Sequence, residues 1–274
     1  MKGLILAAGL GTRLRPLTNT IPKPAIPFLN VPLGYWAMFH LIHAGVDELV
    51  VNTHHLPEKI VTLFEAVQDK VKALHFSHET EKILGSGGGI GHARKFLTPS
   101  QGLLSKIFKS REKLIQEHSF WVANGDEVLL PENIDLFKNT WRGHLASGNL
   151  ATLIVIENPD VGTKFGGVWC DDAMNVRGFG KTPPSSGLKG YHFTGFQVLN
   201  ARVLSLIPPG ESNIFYDILV GAITKGERVS AVLTKGIWIE TGNMDDLKLG
   251  TEQLHALKDQ NPTLKSIIKE FSLK

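Results

Sequence analysis

A group of basic side chains follows a short apolar stretch near the start of the chain. Residues 4–8 (LILAA) are typical of a buried strand, and residues 9–13 (GLGTR) are typical of the loop that leaves it. The two glycines allow backbone N–H groups to approach an anion with no Cβ in between. Arg13, Arg15 and Lys23 add positive charge. The spacing therefore predicts a phosphate-binding loop, although a basic surface turn is the alternative for so short a pattern.

Two better-known phosphate loops fit this segment less well. A dinucleotide-binding fingerprint needs a third glycine where this chain has Leu14. A Walker loop needs Ser or Thr after its lysine, whereas Lys23 lies far from the glycines and is followed by Pro24. We therefore expect neither a Rossmann oxidoreductase nor a P-loop NTPase.

The composition is that of an ordinary globular enzyme. The chain has 274 residues, 42% of them hydrophobic, and a net charge of +3, which is enough to bury the core of one large α/β domain spanning residues 1–274. The scattered basic residues favour neither nucleic acid nor a membrane as a partner. One cysteine, Cys170, excludes an intrachain disulfide and indicates a reducing compartment. With an N-terminal apolar run too short for a signal peptide, we expect a cytoplasmic protein.

Strand and helix patterns alternate over the first half of the chain. The apolar periodicity predicts strands at residues 4–8, 48–52, 74–77 and 120–123, and helices at 33–44, at 58–70 and from about 87. This order predicts a parallel sheet with helices on both faces and ligands at the carboxyl ends of its strands.

The second half of the chain has a different pattern. Strands are predicted at residues 151–156, 166–169, 176–179 and 192–199, then a helix at 214–224 and a helical region at 244–271. We expect a smaller β-rich subregion that holds a second substrate. The polar residues 97–118 exceed the usual length of a connection and predict a helical surface insertion.

Several short motifs occur in a fixed order along the chain. They are residues 6–18 (LAAGLGTRLRPLT), 22–24 (PKP), 84–89 (LGSGGG), 124–126 (NGD), 194–195 (TG) and 238–242 (WIETG). Together they resemble the sugar-1-phosphate nucleotidyltransferases, also called nucleotide-sugar pyrophosphorylases, over nearly the whole chain.

The chain looks most like the short bacterial branch that includes mannose-1-phosphate guanylyltransferases and N-acetylmuramate-1-phosphate uridylyltransferases. The resemblance implies a Rossmann-like, mostly parallel mixed sheet. It also implies transfer of a nucleotidyl group from an NTP to a sugar 1-phosphate, as a step in the synthesis of cell-envelope polysaccharide. No hexapeptide repeat follows the last motif, so we expect no C-terminal β-helix.

This chemistry brings two polyanions together, so positioning and charge neutralisation are its main requirements. Arg13 is suited to clamp the β- and γ-phosphates, because its planar fork holds oxygens bidentately. The resemblance implies that Lys23 lies near the α-phosphate and that Asp126 binds a catalytic Mg²⁺, a cation that prefers carboxylate oxygens. A helix cap is the alternative for Asp126, because Pro131 and Glu132 predict a helix start soon after it.

The second predicted Mg²⁺ ligand departs from the family pattern. Relatives usually have Trp-x-Asp at this point, whereas this chain has Trp238, Ile239 and Glu240. The longer side chain must fold back or the metal must shift, and octahedral Mg²⁺ tolerates misplacement poorly. Metal preference and rate are therefore open.

The resemblance also implies contacts to both substrates. Glu81 is preferred over Glu79 as the residue that bonds the base edge. For the sugar, Lys181 follows Gly180 where relatives commonly have a glutamate, so recognition of ordinary hexose hydroxyls is in doubt. The predicted nucleotide-binding residues are Leu6, Ala8, Gly9, Gly11, Thr12, Arg13, Glu81, Gly85 and Gly125, and the predicted sugar-phosphate-binding residues are Asn124, Lys181 and Gly195.

Two other functions remain open at this point. The missing acid before Lys181 favours a small phosphorylated alcohol such as phosphocholine, paired with CTP. The Glu240 departure favours a catalytically silent protein that senses nucleotide sugars. Homo-oligomerisation is open, and the histidines show no ligand spacing that predicts zinc.

Overall fold

One mixed sheet covered by helices organises the computed structural model, which describes residues 1–98 and 119–273. Among these residues the strands are β1 (Lys2–Leu6), β2 (Pro27–Phe28), β3 (Val31–Pro32), β4 (Glu48–Thr53), β5 (Ala73–His78), β6 (Ser119–Asn124), β7 (Val128–Pro131), β8 (Ala151–Ile156), β9 (Gly167–Cys170), β10 (Val176–Gly180), β11 (Lys189–Asn200), β12 (Val229–Thr234) and β13 (Gly236–Ile239). The α-helices are α1 (Leu33–His43), α2 (Pro57–Glu65), α3 (Gly85–His92), α4 (Arg94–Leu97), α5 (Leu136–Ser147), α6 (Val220–Thr224), α7 (Met244–Leu257) and α8 (Pro262–Phe271).

The main sheet has the order β10-β9-β11-β6-β1-β4-β5, with β8 beside β11 and β12 beside β8. Strands β6, β1, β4 and β5 are all parallel, as the alternating pattern predicts. The long strand β11 runs antiparallel to β6, β8 and β9. The predicted Rossmann-like mixed sheet, with its β-rich second half, is confirmed.

Successive residues of β1 belong to two different cores. Because side chains of a strand alternate between its faces, Ile5 packs with Trp36 of α1, whereas Leu4 packs with Ile90 of α3 on the other face. All four side chains are completely buried, and each contributes roughly 1.5–3 kcal/mol relative to an exposed position. The predicted arrangement of helices on both faces is confirmed.

Several element bounds differ from the sequence prediction. Helix α2 ends at Glu65, and a separate 3₁₀ turn covers Gln68–Lys70. The C-terminal helical region is two helices: α7 ends at Leu257, and α8 starts with Pro262 after Asn261, whose side chain accepts a hydrogen bond from Leu264 N. No helix starts at Pro131, which belongs to β7, so Asp126 does not cap a helix. Of the predicted insertion at residues 97–118, residues 99–118 lie outside the described residues, and Leu97 is the last residue of α4.

No helix in residues 1–98 and 119–273 combines the length and apolar character needed to cross a membrane.

Two buried histidines stay neutral inside the fold. His40 Nε2 donates to the Leu129 carbonyl at 2.8 Å, and the ring stacks on Phe137 at 4.5 Å. His144 lies 2.9 Å from the Thr152 hydroxyl. Burial lowers the pKa of each histidine to about 4, which is far below the ordinary value near 6.5.

These histidines predict acid sensitivity. Between pH 6.5 and 4 the unfolded chain takes up protons that the folded chain refuses, so the free energy of unfolding falls as pH falls, by up to about 1.4 kcal/mol per pH unit for each histidine. Urea denaturation at pH 7, 6 and 5 measures the slope. His40→Gln keeps an N–H donor but cannot titrate in this range, so its slope should be shallower. The exposed His255→Gln is the control, and equal slopes in His40→Gln and the unmodified protein would contradict the prediction.

Candidate active site

A cavity of about 360 Å³ opens where β1 and β6 end, which is the edge that the parallel sheet predicts for ligands. This volume lies in the range of small-molecule sites. The wall residues come from the loop after β1, the β4 end, the start of α3, the turn after β6 and the segment after β13: Leu6, Ala7, Ala8, Gly9, Gly11, Thr12, Arg13, Leu14, Lys23, Pro24, Asn52, Ile83, Gly85, Ser86, Asn124, Gly125, Asp126 and Gly242.

Most of the predicted site residues meet in this cavity. Those in its walls are Leu6, Ala8, Gly9, Gly11, Thr12, Arg13, Lys23, Gly85, Asn124, Gly125 and Asp126. The predicted residues Glu81, Lys181, Gly195 and Glu240 are not among the wall residues.

The glycine loop after β1 is held by side-chain contacts and leaves its arginine mostly exposed. Gly11 has φ of +60°, and a Cβ there would lie 2.8 Å from the Thr18 side chain, so only glycine suits the position. The Thr18 hydroxyl donates to the Gly11 carbonyl at 2.8 Å, and Leu14 is buried. The Arg13 side chain is 70% exposed. The loop therefore presents an exposed cation on an anchored backbone.

The turn after β6 brings an acidic residue to the basic loop. Gly125 N donates to the Leu6 carbonyl at 2.9 Å, and a Cβ on Gly125 would lie 2.9 Å from the same oxygen. This close approach places Asp126 beside the 3₁₀ turn Lys23–Ala25. Lys23 Nζ donates to Asp126 Oδ2 at 2.5 Å. A lysine and an aspartate 103 positions apart therefore form one ion pair in the cavity wall.

The segment after β13 carries the second predicted acid. Strand β13 pairs with β7, and the Thr241 hydroxyl donates to the Asp126 carbonyl at 2.8 Å. Glu240 Oε2 lies 2.6 Å from Lys164 Nζ, and Oε1 lies 3.9 Å from Arg13 Nη1. The two acidic segments are thus joined by a hydrogen bond, and each acid has a lysine partner.

The carboxylates have the chemistry that Mg²⁺ prefers. Within residues 1–98 and 119–273, no group of three or more His, Cys, Asp and Glu side chains is placed to hold a metal ion. Mg²⁺ usually takes only one or two protein carboxylates and completes its shell with phosphate oxygens and water. Asp126 and Glu240, on adjoining segments next to a cavity with two cations, fit that pattern.

The sequence profile of the family described as Nucleotidyl transferase matches residues 2–256. The chain belongs to this family. It is 30% identical over 90% of its length to the UTP–glucose-1-phosphate uridylyltransferase of Synechocystis sp., and it spans 61% of that relative. It is 29% identical to the probable mannose-1-phosphate guanylyltransferase 2 of Arabidopsis thaliana, covering 96% of this chain and 68% of the relative.

A solved structure of another protein has the same fold as this chain. The crystal structure of a UDP-glucose pyrophosphorylase complexed with UDP-glucose superposes with a TM-score of 0.71 at 20% identity. The superposition covers 93% of this chain and 98% of the other. At this identity the likeness establishes the fold alone.

Sequence analysis missed Glu127, which lies half-buried between two predicted sugar residues. Trp238 Nε1 donates to Glu127 Oε2 at 2.7 Å, and Asn124 Nδ2 donates to Oε1 at 3.2 Å. Gly195 has φ of +89°, and a Cβ there would lie 2.1 Å from Glu127 Cγ. Burial and the neighbouring Asp126 raise the pKa of Glu127 to about 8. The only signal in the sequence was a second acid directly after the Asn-Gly-Asp motif.

Glu79 and Asn52 form a buried support beneath the cavity. Asn52 Oδ1 accepts from Ala7 N at 2.6 Å, and Asn52 Nδ2 donates to Glu79 Oε1 at 2.7 Å. Leu84 N donates to Glu79 Oε2 at 2.7 Å, just before α3 begins. Glu79 thus positions the strand ends and the glycine-rich helix. Glu81 is exposed, and its contact with a base stays a prediction.

Lys181 also lies away from the cavity. Its side chain is exposed, and Nζ donates to the Thr163 carbonyl at 2.7 Å. Lys181 therefore supports the loop between β8 and β9 in this structure, and its contact with a sugar phosphate stays a prediction.

Alanine at Gly11 should destabilise the protein, whereas alanine at Gly9 should leave its stability nearly unchanged. Gly11→Ala places a Cβ on a left-handed backbone and against Thr18, which should cost roughly 1–3 kcal/mol and lower the Tm by about 2 °C or more for each kcal/mol. Gly9→Ala is the matched control, because no atom lies within 4 Å of its added Cβ. Thermal unfolding of the two variants measures the difference. An unchanged Tm in Gly11→Ala would contradict the left-handed conformation of Gly11 and its close contact with Thr18.

Proposed function

We propose that this protein transfers a nucleotidyl group from an NTP to a sugar 1-phosphate, forming an NDP-sugar and pyrophosphate with the help of Mg²⁺. The observation that carries the proposal is the meeting of Arg13, Lys23 and Asp126 in one cavity. The Synechocystis uridylyltransferase and the probable guanylyltransferase of Arabidopsis, to which the chain is similar, support the same reaction class.

The reaction needs one bond formed and one broken at the α-phosphorus. A phosphate oxygen of the sugar 1-phosphate attacks this phosphorus, and the bond to the oxygen that leads to the β-phosphorus breaks, so pyrophosphate leaves on the opposite side. No side chain forms a covalent bond. The protein supplies position and charge, which are the main terms in such transfers.

Charged residues at the cavity suit this division of tasks. Arg13, exposed at the loop, would hold the β- and γ-phosphates and the departing pyrophosphate bidentately. Lys23, whose side chain is only 12% exposed, would contact the α-phosphate as a fixed point charge. A Mg²⁺ held by Asp126 and Glu240 would neutralise charge on the reacting phosphates.

The nucleoside end of the cavity lies against α3. Gly85 begins this helix with φ of +70°, and a Cβ there would lie 2.7 Å from the Ser212 carbonyl. The wall at this end of the cavity is formed by Ile83, Gly85 and Ser86. We infer that the base lies on this wall and that the backbone of Ala8 and Gly9 contacts its edge.

The aromatic rings packed around Trp238, which donates to Glu127, favour a sugar over phosphocholine. The rings of Phe165, His192 and Trp238 pack on one another with centroids 4.1–5.6 Å apart. A trimethylammonium group needs ring faces that are open to it, and these rings leave no room between them. Asn124 and Glu127 instead offer polar atoms that suit sugar hydroxyls.

Turnover with a substrate panel tests the proposal. The protein is incubated with each of the four NTPs, Mg²⁺, pyrophosphatase and a set of sugar 1-phosphates, and phosphate release is followed. We expect release with at least one pair.

Asp126→Ala should reduce kcat by orders of magnitude, because charge neutralisation is the dominant catalytic requirement, whereas Glu240→Asp should keep activity within roughly tenfold, or about 1.4 kcal/mol of barrier.

The exposed Asp245→Ala removes the same charge nearby and should be near normal. Folded protein without turnover for any pair would refute the proposal. Binding of an NDP-sugar without pyrophosphate exchange would instead favour a sensor.

A further inference from the structure

A lysine that sequence analysis did not single out reaches two carboxylates beside the cavity. Lys164 Nζ lies 2.6 Å from Glu240 Oε2 and 4.0 Å from Asp246 Oδ1. Half of the Lys164 side chain is exposed, whereas the side chains of Glu240 and Asp246 are 16% and 18% exposed. A long side chain with room to move therefore lies between two mostly buried acids.

The backbone that carries Lys164 is held in a compact turn. Gly162 N donates to the Phe165 carbonyl at 2.9 Å, and Phe165 N donates to the Asp160 carbonyl at 3.0 Å. The Phe165 ring packs edge-on against Trp238 with centroids 5.6 Å apart. Because the main chain is fixed on both sides, a change of partner at Lys164 requires only side-chain rotation.

Asp246 has an oxygen that its present contacts leave unsatisfied. Its backbone N–H donates to Asn243 Oδ1 at 2.9 Å, which starts α7. Its Oδ2 is buried and has no hydrogen-bond partner among the described residues, and a buried acceptor without a donor is unfavourable. Asp246 is therefore suited to accept a hydrogen bond from the Lys164 ammonium when that ammonium leaves Glu240.

Glu240, Asp246 and Arg13 converge on one glycine. A Cβ on Gly242 would lie 2.7 Å from Glu240 Oε1, 2.8 Å from Arg13 Nη1 and 3.2 Å from Asp246 Oδ2. The cations that approach Glu240 thus come from both sides, Arg13 at one oxygen and Lys164 at the other. A divalent cation that binds Glu240 must displace or share one of them.

We propose that Lys164 and a divalent cation compete for Glu240, and that Asp246 takes the Lys164 ammonium when the cation binds. The inference rests on the proposed function, in which Glu240 is a ligand of the divalent cation. An ammonium at 2.6 Å opposes a second cation on the same carboxylate by direct repulsion. With Asp246 as the second partner, the Lys164 ammonium lies against a carboxylate in either arrangement, so Lys164 is a positioning residue for the metal ligand.

Mn²⁺ binding to the full chain without nucleotide tests the competition independently of turnover. The free Mn²⁺ signal in electron paramagnetic resonance gives the Kd. Lys164→Met should bind Mn²⁺ roughly three- to tenfold more tightly, the size expected when one nearby charge is removed from a partly exposed site. Lys164→Arg should stay near the unmodified protein. Lys248→Met, exposed two residues after Asp246 on α7, is the control for net charge and should change little.

Asp246→Asn tests the second partner. It should weaken Mn²⁺ binding when Lys164 is present, because the displaced ammonium then has no carboxylate to join. In a Lys164→Met background the same substitution should have little effect. An equal effect in both backgrounds would mean that Asp246 acts only through its charge, and that result would overturn the exchange.

Other outcomes separate this inference from the proposed function. Unchanged or weaker Mn²⁺ binding in folded Lys164→Met, and in Lys164→Gln as a second neutral variant, would overturn the competition even if the enzyme turns over. Tighter binding in both variants with no turnover for any substrate pair would sustain the competition and reject the proposed reaction. Glu240→Gln must weaken Mn²⁺ binding, since otherwise Glu240 is not a ligand and the inference fails.

Discussion

The parallel pairing of β1 with β6 is the constraint on which the site depends. It sets Leu6 opposite Asn124, so the basic loop that follows one strand and the acidic turn that follows the other leave the sheet side by side. Because Gly125 has no side chain, the turn after β6 can approach β1 closely enough for Gly125 N to donate to the Leu6 carbonyl. Without this contact the ion pair between Lys23 and Asp126 would have no fixed geometry, and the segment of Thr241 would lose its hydrogen-bond partner on Asp126.

Charge compensation is the second theme of the cavity. Each acid near the proposed metal has its own ammonium, Lys23 for Asp126 and Lys164 for Glu240. Removing one partner of such a pair leaves a partly buried charge without compensation, which is unfavourable. Under the proposed function, in which the site takes up phosphates and a dication, counter-ions that can change partners are an advantage, and the exposed side chains of Arg13 and Lys164 meet that requirement better than the buried Lys23.

The sequence predicted the features that depend on local pattern. Alternating strands and helices predicted the parallel sheet with ligands at its carboxyl edge, and the family resemblance supplied the roles of Lys23 and Asp126. The residues that were missed depend on contacts between distant segments. Glu127 matters because Trp238 and Gly195 surround it, and Glu79 rather than Glu81 turns inward because Asn52 lies below it. No spacing rule relates Lys164 to Glu240, since the turn at Phe165 brings them together.

The central claim is that Asp126 and Glu240 hold one divalent cation against the reacting phosphates. The most direct test is anomalous diffraction from crystals grown with Mn²⁺ and a non-hydrolysable analogue of the NTP that supports turnover. The account predicts one Mn²⁺ peak within about 2.3 Å of a carboxylate oxygen of Asp126 and of Glu240, next to the α-phosphate. A peak bound by Asp126 with Glu240 still paired to Lys164, or a metal bound outside this cavity, would contradict it.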